Sequence, residues 1–289
     1  MNNILEFKNV SVTRNKIILD KISLSIKKGE KVAILGPNGC GKTTLINVGL
    51  GLIRPTQGEV QKITDTLEPY QIGVHLQEQK YNGLMTVREL LNLLLFTGDY
   101  SQLVEKYHLS PILDKRLGSL SGGEKQKVYL TAVFENNPDV FVLDEFTTSL
   151  DLDNQEYTVN YLKEGIAENK TIILITHHFN EAESLCNRLI FLKNGQIIED
   201  GLITDLYKKY SIKSRILARL NSRVSELCNQ LNVRVIDDYF LSFEFETDND
   251  KCQILNLLNR HSNHVISYEI LPPTIKKLYQ KIYSSKEED

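Results

Sequence analysis

Lys31-Val32-Ala33-Ile34-Leu35-Gly36-Pro37-Asn38-Gly39-Cys40-Gly41-Lys42-Thr43 is the stretch on which the fold turns. Lys31 to Leu35 reads as a short apolar strand. The eight residues after it satisfy G-x-x-x-x-G-K-[ST], a pattern that requires a strand before it and a helix behind it. Glycines at these positions let backbone N–H groups converge on phosphate oxygens, and the helix that follows presents the positive end of its dipole. The loop Gly36, Pro37, Asn38, Gly39, Cys40, Gly41, Lys42 and Thr43 is therefore expected to hold a nucleotide. Lys42 neutralises the β- and γ-phosphates, the Thr43 hydroxyl holds Mg²⁺, and Thr44 assists at the α-phosphate.

Outward from this loop, short apolar runs alternate with helical patterns from Leu5 to about Ile203, which predicts an α/β layered domain. Val140 to Leu143 and Thr171 to Ile175 are apolar at successive positions, as strands buried on both faces of a parallel sheet are. The stretch from about Glu78 to Leu117 differs. There Thr86-Val87-Arg88-Glu89 fits a capping box that opens a helix carrying Leu90, Leu91, Leu94 and Leu95. Past Thr204 a helical stretch to Tyr210 leads into a strand (213–220), a helix (222–231) and a strand (233–236). A turn at Asp237-Asp238 follows, then a strand (240–245), a helix (250–260) and a strand (265–270). That β-α-β-β-α-β order predicts a small ferredoxin-like domain, followed by a last helix from Ile275 to Tyr283.

Bulk properties narrow the class. The chain has 289 residues, enough for one large α/β domain and a smaller one. Lys+Arg of 34 against Asp+Glu of 37 leaves a formal net charge of −3, which argues against a general nucleic-acid binder. No apolar run approaches the roughly 20 residues that a membrane span needs. The amino terminus lacks the layout of a signal peptide, so a cytosolic location is expected. Cys40, Cys186, Cys228 and Cys252 show no zinc-ligand spacing and are read as free thiols.

Further chemistry gathers at strand ends. The Val140 strand runs into Asp144-Glu145 at the carboxyl end, where α/β sheets bind ligands. Because successive side chains of a strand point to opposite sides, Asp144 is expected to orient the Mg²⁺ shell and Glu145 to polarise the attacking water. Leu120-Ser121-Gly122-Gly123-Glu124 is a capping box, yet its paired glycines cost helix propensity and allow close approach to phosphate. Ser121, Gly122 and Gly123 are therefore expected to face a phosphate. His177, just beyond the Thr171 strand, can reach a γ-phosphate. Gln77 closes the strand from Ile72 and could ligate Mg²⁺ or the water, with Gln71 and Gln79 as neighbouring alternatives.

In this order the loop at Gly36 to Thr43, Gln77, Leu120 to Glu124, Asp144-Glu145, Ser149-Leu150-Asp151 and His177 resemble the ATP-binding subunit of an ABC transporter, over about Leu5 to Gly201. The resemblance implies a P-loop NTPase core with an N-terminal antiparallel β subdomain and a helical subdomain at about 78–118. Together these form an ATP-binding domain over 1–210, with an α+β accessory domain over 211–289. It further implies ATP and Mg²⁺, with Thr43, Gln77 and Asp144 at the metal and Glu145, Gln77 and His177 in catalysis. Asp151 would be the loop aspartate facing the second subunit. A head-to-tail dimer, with itself or a homologous subunit, would hold each ATP between one P-loop and the other subunit's Ser121 loop. A multi-span permease would receive the work at the cytoplasmic face of the membrane. The accessory domain resembles, more weakly, an extension on export-type subunits. The alternatives are a soluble ABC-type ATPase acting on ribosomes or nucleic acid, and an ATP-sensing subunit of low turnover.

The chain departs from that family in two places. No aromatic residue lies at Val12, Thr13 or Arg14 to stack on adenine, and the Arg14 guanidinium is the expected substitute. Phe146 and Ser149 stand where proline and glycine are usual.

Overall fold

The computed structural model describes residues 3–76, 81–95, 101–166, 169–221, 233–237 and 239–284. The chain divides into two compact units, Met1–Leu202 and Ile203–Asp289. The helix expected to close the first domain is thus counted with the second.

The first unit begins with strands β1 (Asn3–Thr13), β2 (Ile17–Lys27) and β3 (Lys31–Leu35), helix α1 (Lys42–Gly49) and strand β4 (Gln57–Gln61). Strand β5 (Ile72–His75) and helices α2 (Val87–Leu94), α3 (Ser101–Lys106) and α4 (Gly122–Glu135) follow. Then come β6 (Val140–Asp144), α5 (Leu152–Tyr161), which continues into a π-helical turn at Leu162–Ile166, and β7 (Thr171–Ile175). Helix α6 (Phe179–Leu185) and strands β8 (Arg188–Lys193) and β9 (Gln196–Leu202) end the unit.

These strands form two sheets. The antiparallel one has the order β2-β1-β4, and the six-stranded one the order β5-β6-β7-β3-β8-β9. In the larger sheet every pair is parallel except β8-β9. All five residues of β6 and of β7 are buried, as their unbroken apolarity requires. The sheet buries Val32, Ile34, Val142 and Ile173 in one core with Phe7, Ile22 and Leu45 of β1, β2 and α1. The parallel strands β3, β6 and β7 thereby deliver their carboxyl ends, and the loops that follow, to one edge of the sheet.

The helical insert has a core of its own, built on Leu90, Leu91, Leu117, Val128 and Tyr129. Its capping box forms as the sequence predicts. Thr86 Oγ1 accepts from the Glu89 N–H at 3.2 Å, and Glu89 Oε2 accepts from the Thr86 N–H at 2.8 Å.

The second unit contains α7 (Ile203–Lys209), β10 (Ser214–Leu220), β11 (Val233–Asp237), β12 (Phe240–Phe245), α8 (Asp248–Arg260), β13 (Val265–Leu271) and α9 (Ile275–Ser284). Its antiparallel sheet has the order β11-β12-β10-β13, the arrangement that a β-α-β-β-α-β chain produces. Ile216, Ala218, Leu241 and Phe243 of the sheet pack with Ile254 and Leu258 of α8. The helix expected at 222–231 lies outside the described residues. Among the described residues no helix is long and apolar enough to cross a membrane.

Candidate functional site: a phosphate cradle and its acidic edge

The cradle is built by close approach. Gly41 caps α1 with φ +110°, and a Cβ there would lie 2.8 Å from the Ile18 carbonyl oxygen. At Gly36 a Cβ would come within 2.3 Å of the Leu192 carbonyl oxygen. Strand β2 and the β8-β9 hairpin therefore press on the loop from outside. The hairpin turn is Asn194-Gly195, both residues at positive φ, and the Gly195 N–H donates to the Cys40 carbonyl at 3.0 Å. Lys42 is buried, and its ammonium group donates to the carbonyls of Gly36 at 2.8 Å and Pro37 at 3.1 Å.

Beside the cradle stands the acidic end of β6. Thr43 Oγ1 donates to Asp144 Oδ2 at 2.9 Å. Asp144 is 1% exposed, and its Oδ1 has no hydrogen-bond partner among the described residues. Burial raises its pKa from 3.8 to about 6, the charge of Glu145 acting in the same direction and Thr43 and Lys42 against it. A buried carboxylate oxygen left without a partner, next to a hydroxyl and a phosphate cradle, is a donor set that suits a hard divalent cation such as Mg²⁺.

Glu145 adopts φ +49°, a left-handed conformation sparsely populated by residues other than glycine. Its N–H donates to the Ile175 carbonyl at 2.9 Å, which ties the end of β6 to the end of β7. His177 Nδ1 lies 3.4 Å from Glu145 Oε1. A cavity of about 510 Å³ is lined by Asn38, Gly39 and Gly41 to Thr44 together with Glu145, His177 and Ile18.

The structure thus brings the loop, Asp144, Glu145 and His177 together. It keeps Ser121, Gly122, Gly123 and Asp151 out of that cavity. Ser121 caps α4, its Oγ accepting from the Glu124 N–H at 3.2 Å. A Cβ on Gly123 would sit 3.4 Å from the Ser149 carbonyl oxygen, so this loop packs on the segment before Asp151. Asp151 caps α5 through the Asn154 N–H at 2.9 Å, and Asn154 holds its carboxyl below the usual range. Gln77 lies outside the described residues. Ile18 is the lining residue that sequence reasoning missed. Arg14, exposed in the turn between β1 and β2, is not among the lining residues.

Residues 19–148 match the family described as ABC transporter. The Nod factor export ATP-binding protein I of Burkholderia orbicola is 34% identical over 215 residues, 68% of this chain and 70% of that protein. The high-affinity zinc uptake system ATP-binding protein ZnuC of Bacillus subtilis is 31% identical over 198 residues, covering 62% and 86%. Among solved structures, the ATP-binding subunit of an ABC transporter superposes with a TM-score of 0.63 at 26% identity, over 72% of this chain and 93% of that one. A dimeric bacterial ABC transporter cassette does so with a TM-score of 0.58 at 29% identity, over 69% and 98%. The same cassette has a dimeric structure of a post-hydrolysis state bound to ADP and Pi, at 28% identity. The chain belongs to the ABC transporter family. It is an ATP-binding subunit of that family, and an ATPase.

Proposed function

We propose that this subunit works as a head-to-tail dimer, with a second copy or a homologous subunit, and drives a separate multi-span permease at the cytoplasmic face of a membrane. One observation carries the reading: the two glycine-rich elements of the chain do not meet within it. Asn38, Gly39, Gly41 to Thr44, Glu145 and His177 border one cavity, with Asp144 bonded to Thr43 beside it, whereas the Ser121-Gly122-Gly123 helix start lies apart from it. The dimeric cassette among the similar structures supports the pairing.

In this reading the loop N–H groups and Lys42 bind the phosphates and offset the negative charge that develops on them. Asp144, Thr43 and Gln77 would hold Mg²⁺, which supplies charge neutralisation to the phosphates when bound. Glu145 orients the attacking water and receives its proton on the carboxylate. His177, beside Glu145, reaches the γ-phosphate. The partner subunit's Ser121 loop covers the same phosphate, and Asp151 faces the partner. A groove of about 210 Å³ lined by Tyr70, Tyr81, Leu94, Tyr129 and Val133 offers an apolar seat for the permease.

Export is the direction we favour, on the relatives named for Nod factor export. The zinc-uptake relative makes import the competing reading. The test is a Glu145→Gln chain, which should bind ATP, hydrolyse it at least about 100-fold more slowly and accumulate as an ATP-bound dimer on a sizing column. A monomer with full turnover would sink the proposal. Recovery of the chain from membranes with a multi-span protein tests the coupling, and ATP-dependent flux in inverted vesicles reads its direction.

A further inference from the structure

We infer that Glu181 is a positioning residue for ATP hydrolysis, one that clamps the segment after Glu145 to the segment before His177. The inference rests on the roles proposed for those two residues. Glu181 is the third residue of α6 and only 5% exposed. Its Oε2 accepts from the Thr176 hydroxyl at 2.6 Å, and its Oε1 accepts from the Thr147 hydroxyl. Both threonines are fully buried. Thr147 follows Glu145 by two residues and Thr176 directly precedes His177.

An acidic residue in the first turn of a helix ordinarily serves the helix dipole, and it does so at the surface. Glu181 is placed otherwise. Its carboxylate is taken out of water, which is costly unless its oxygens are matched. Those oxygens are matched by hydroxyls from two different loops. Thr176 is in turn fixed by accepting from the His178 N–H at 2.9 Å, so the backbone on both sides of His177 is tied to the clamp. The Glu145 segment is pinned at each residue. Glu145 bonds to Ile175, the Phe146 carbonyl accepts from the Gln126 amide, and Thr147 bonds to Glu181. The second bond sets the path of that segment, while the first, to Ile175 just before Thr176, and the third together set its spacing from the His177 loop. The 3.4 Å separation of Glu145 and His177 is the geometry that the backbone bond at Ile175 and the side-chain bond at Glu181 maintain together.

The experiment measures steady-state MgATP hydrolysis by the full-length chain for Thr147→Val, Thr147→Ser, Glu181→Gln and Glu145→Gln. The clamp predicts that Thr147→Val and Glu181→Gln each lower kcat by about 10- to 100-fold with the KM for ATP within about twofold. Thr147→Ser, which restores the hydroxyl, should recover kcat to within about threefold, and a variant combining Thr147→Val with Glu181→Gln should lose no more than either single one. If Glu181→Gln does not fold, the Thr147 pair decides alone. Wild-type kcat in Thr147→Val, equal losses in Thr147→Ser and Thr147→Val, or losses confined to KM would each overturn the inference. Glu145→Gln separates the two levels. Slow hydrolysis there beside wild-type kcat in Thr147→Val defeats the clamp alone, whereas wild-type hydrolysis in Glu145→Gln defeats the site reading on which it rests.

Discussion

The hydroxyl of Thr43 donates to Asp144 Oδ2 at 2.9 Å across 101 residues of chain, which joins the first turn of α1 to the end of β6. That bond leaves Asp144 Oδ1 buried and without a partner among the described residues, in a carboxyl group whose pKa is raised to about 6. The folded chain therefore binds this proton more tightly than the unfolded chain does. Stability from this group is full below 3.8 and lost as the pH rises through 6.

Asp144→Asn should consequently stabilise the nucleotide-free protein at pH 7.5. A rise from 3.8 to about 6, at 1.36 kcal/mol for each pKa unit, bounds the gain at about 3 kcal/mol. Hydrolysis should fall by at least about 100-fold, because the charge that the proposed site offers to Mg²⁺ is gone. Urea unfolding and an ATPase assay on the same preparation check both halves. Lower stability at pH 7.5 would refute the electrostatic account.

His75 should slope the opposite way. It is 3% exposed in β5, and burial lowers its pKa from 6.5 to about 4, the backbone at Asp144 and the Gln126 side chain acting against that shift. The unfolded chain takes up a proton below pH 6.5 while the folded chain stays neutral, so acidification from 6.5 to 4 removes up to about 3 kcal/mol. In His75→Leu that loss should vanish. The difference in urea midpoint between wild type and variant, followed from pH 7.5 to 5, should widen steadily in favour of the variant; a constant difference would count against it.

Two neighbouring glycines should respond differently to a methyl group. Gly39 has φ +76° and open space around its Cβ position, so Gly39→Ala should cost only the left-handed penalty of about 1–2 kcal/mol. Gly41 has φ +110° and the Ile18 carbonyl 2.8 Å from its Cβ position. Gly41→Ala should cost about 3 kcal/mol or more and weaken ATP binding at least tenfold. Calorimetric titration with ATP and thermal melts of both variants give the comparison.

Recognition of the base divides Ile18 from Arg14. Ile18 lines the nucleotide cavity and Arg14 does not, so Ile18→Ala should raise the Kd for ATP several-fold while Arg14→Ala leaves it unchanged. A larger effect from Arg14→Ala would return the guanidinium to the adenine.

The parts of this fold that were legible in the sequence are those whose signal is local. The strand Lys31–Leu35 and the loop behind it were legible because glycine spacing, lysine and hydroxyl must lie within eight residues to work. Strands β6 and β7 were legible because burial on both faces demands unbroken apolarity. Ile18 was missed because its place beside the cradle comes from β2 packing on the loop, a contact that periodicity does not encode. The Asn194-Gly195 turn carries its hairpin signal in the sequence itself. The left-handed backbone of Glu145 had none, since neither glycine nor asparagine marks it. Glu181 was silent too. Its partners lie 34 and 5 residues away and meet it only after α6 docks.

The convergence of Gly36, Gly41 and Gly195 on the backbones of Leu192 and Ile18 has a thermodynamic consequence. A loop wedged between two strands by contacts of its own has little conformational freedom left to surrender when a nucleotide arrives. Association should therefore lose little entropy to ordering of the loop, leaving more of the phosphate attraction as affinity. In the proposed dimer, nucleotide exchange is then governed by how fast the two subunits part, while the cradle itself stays as it was built.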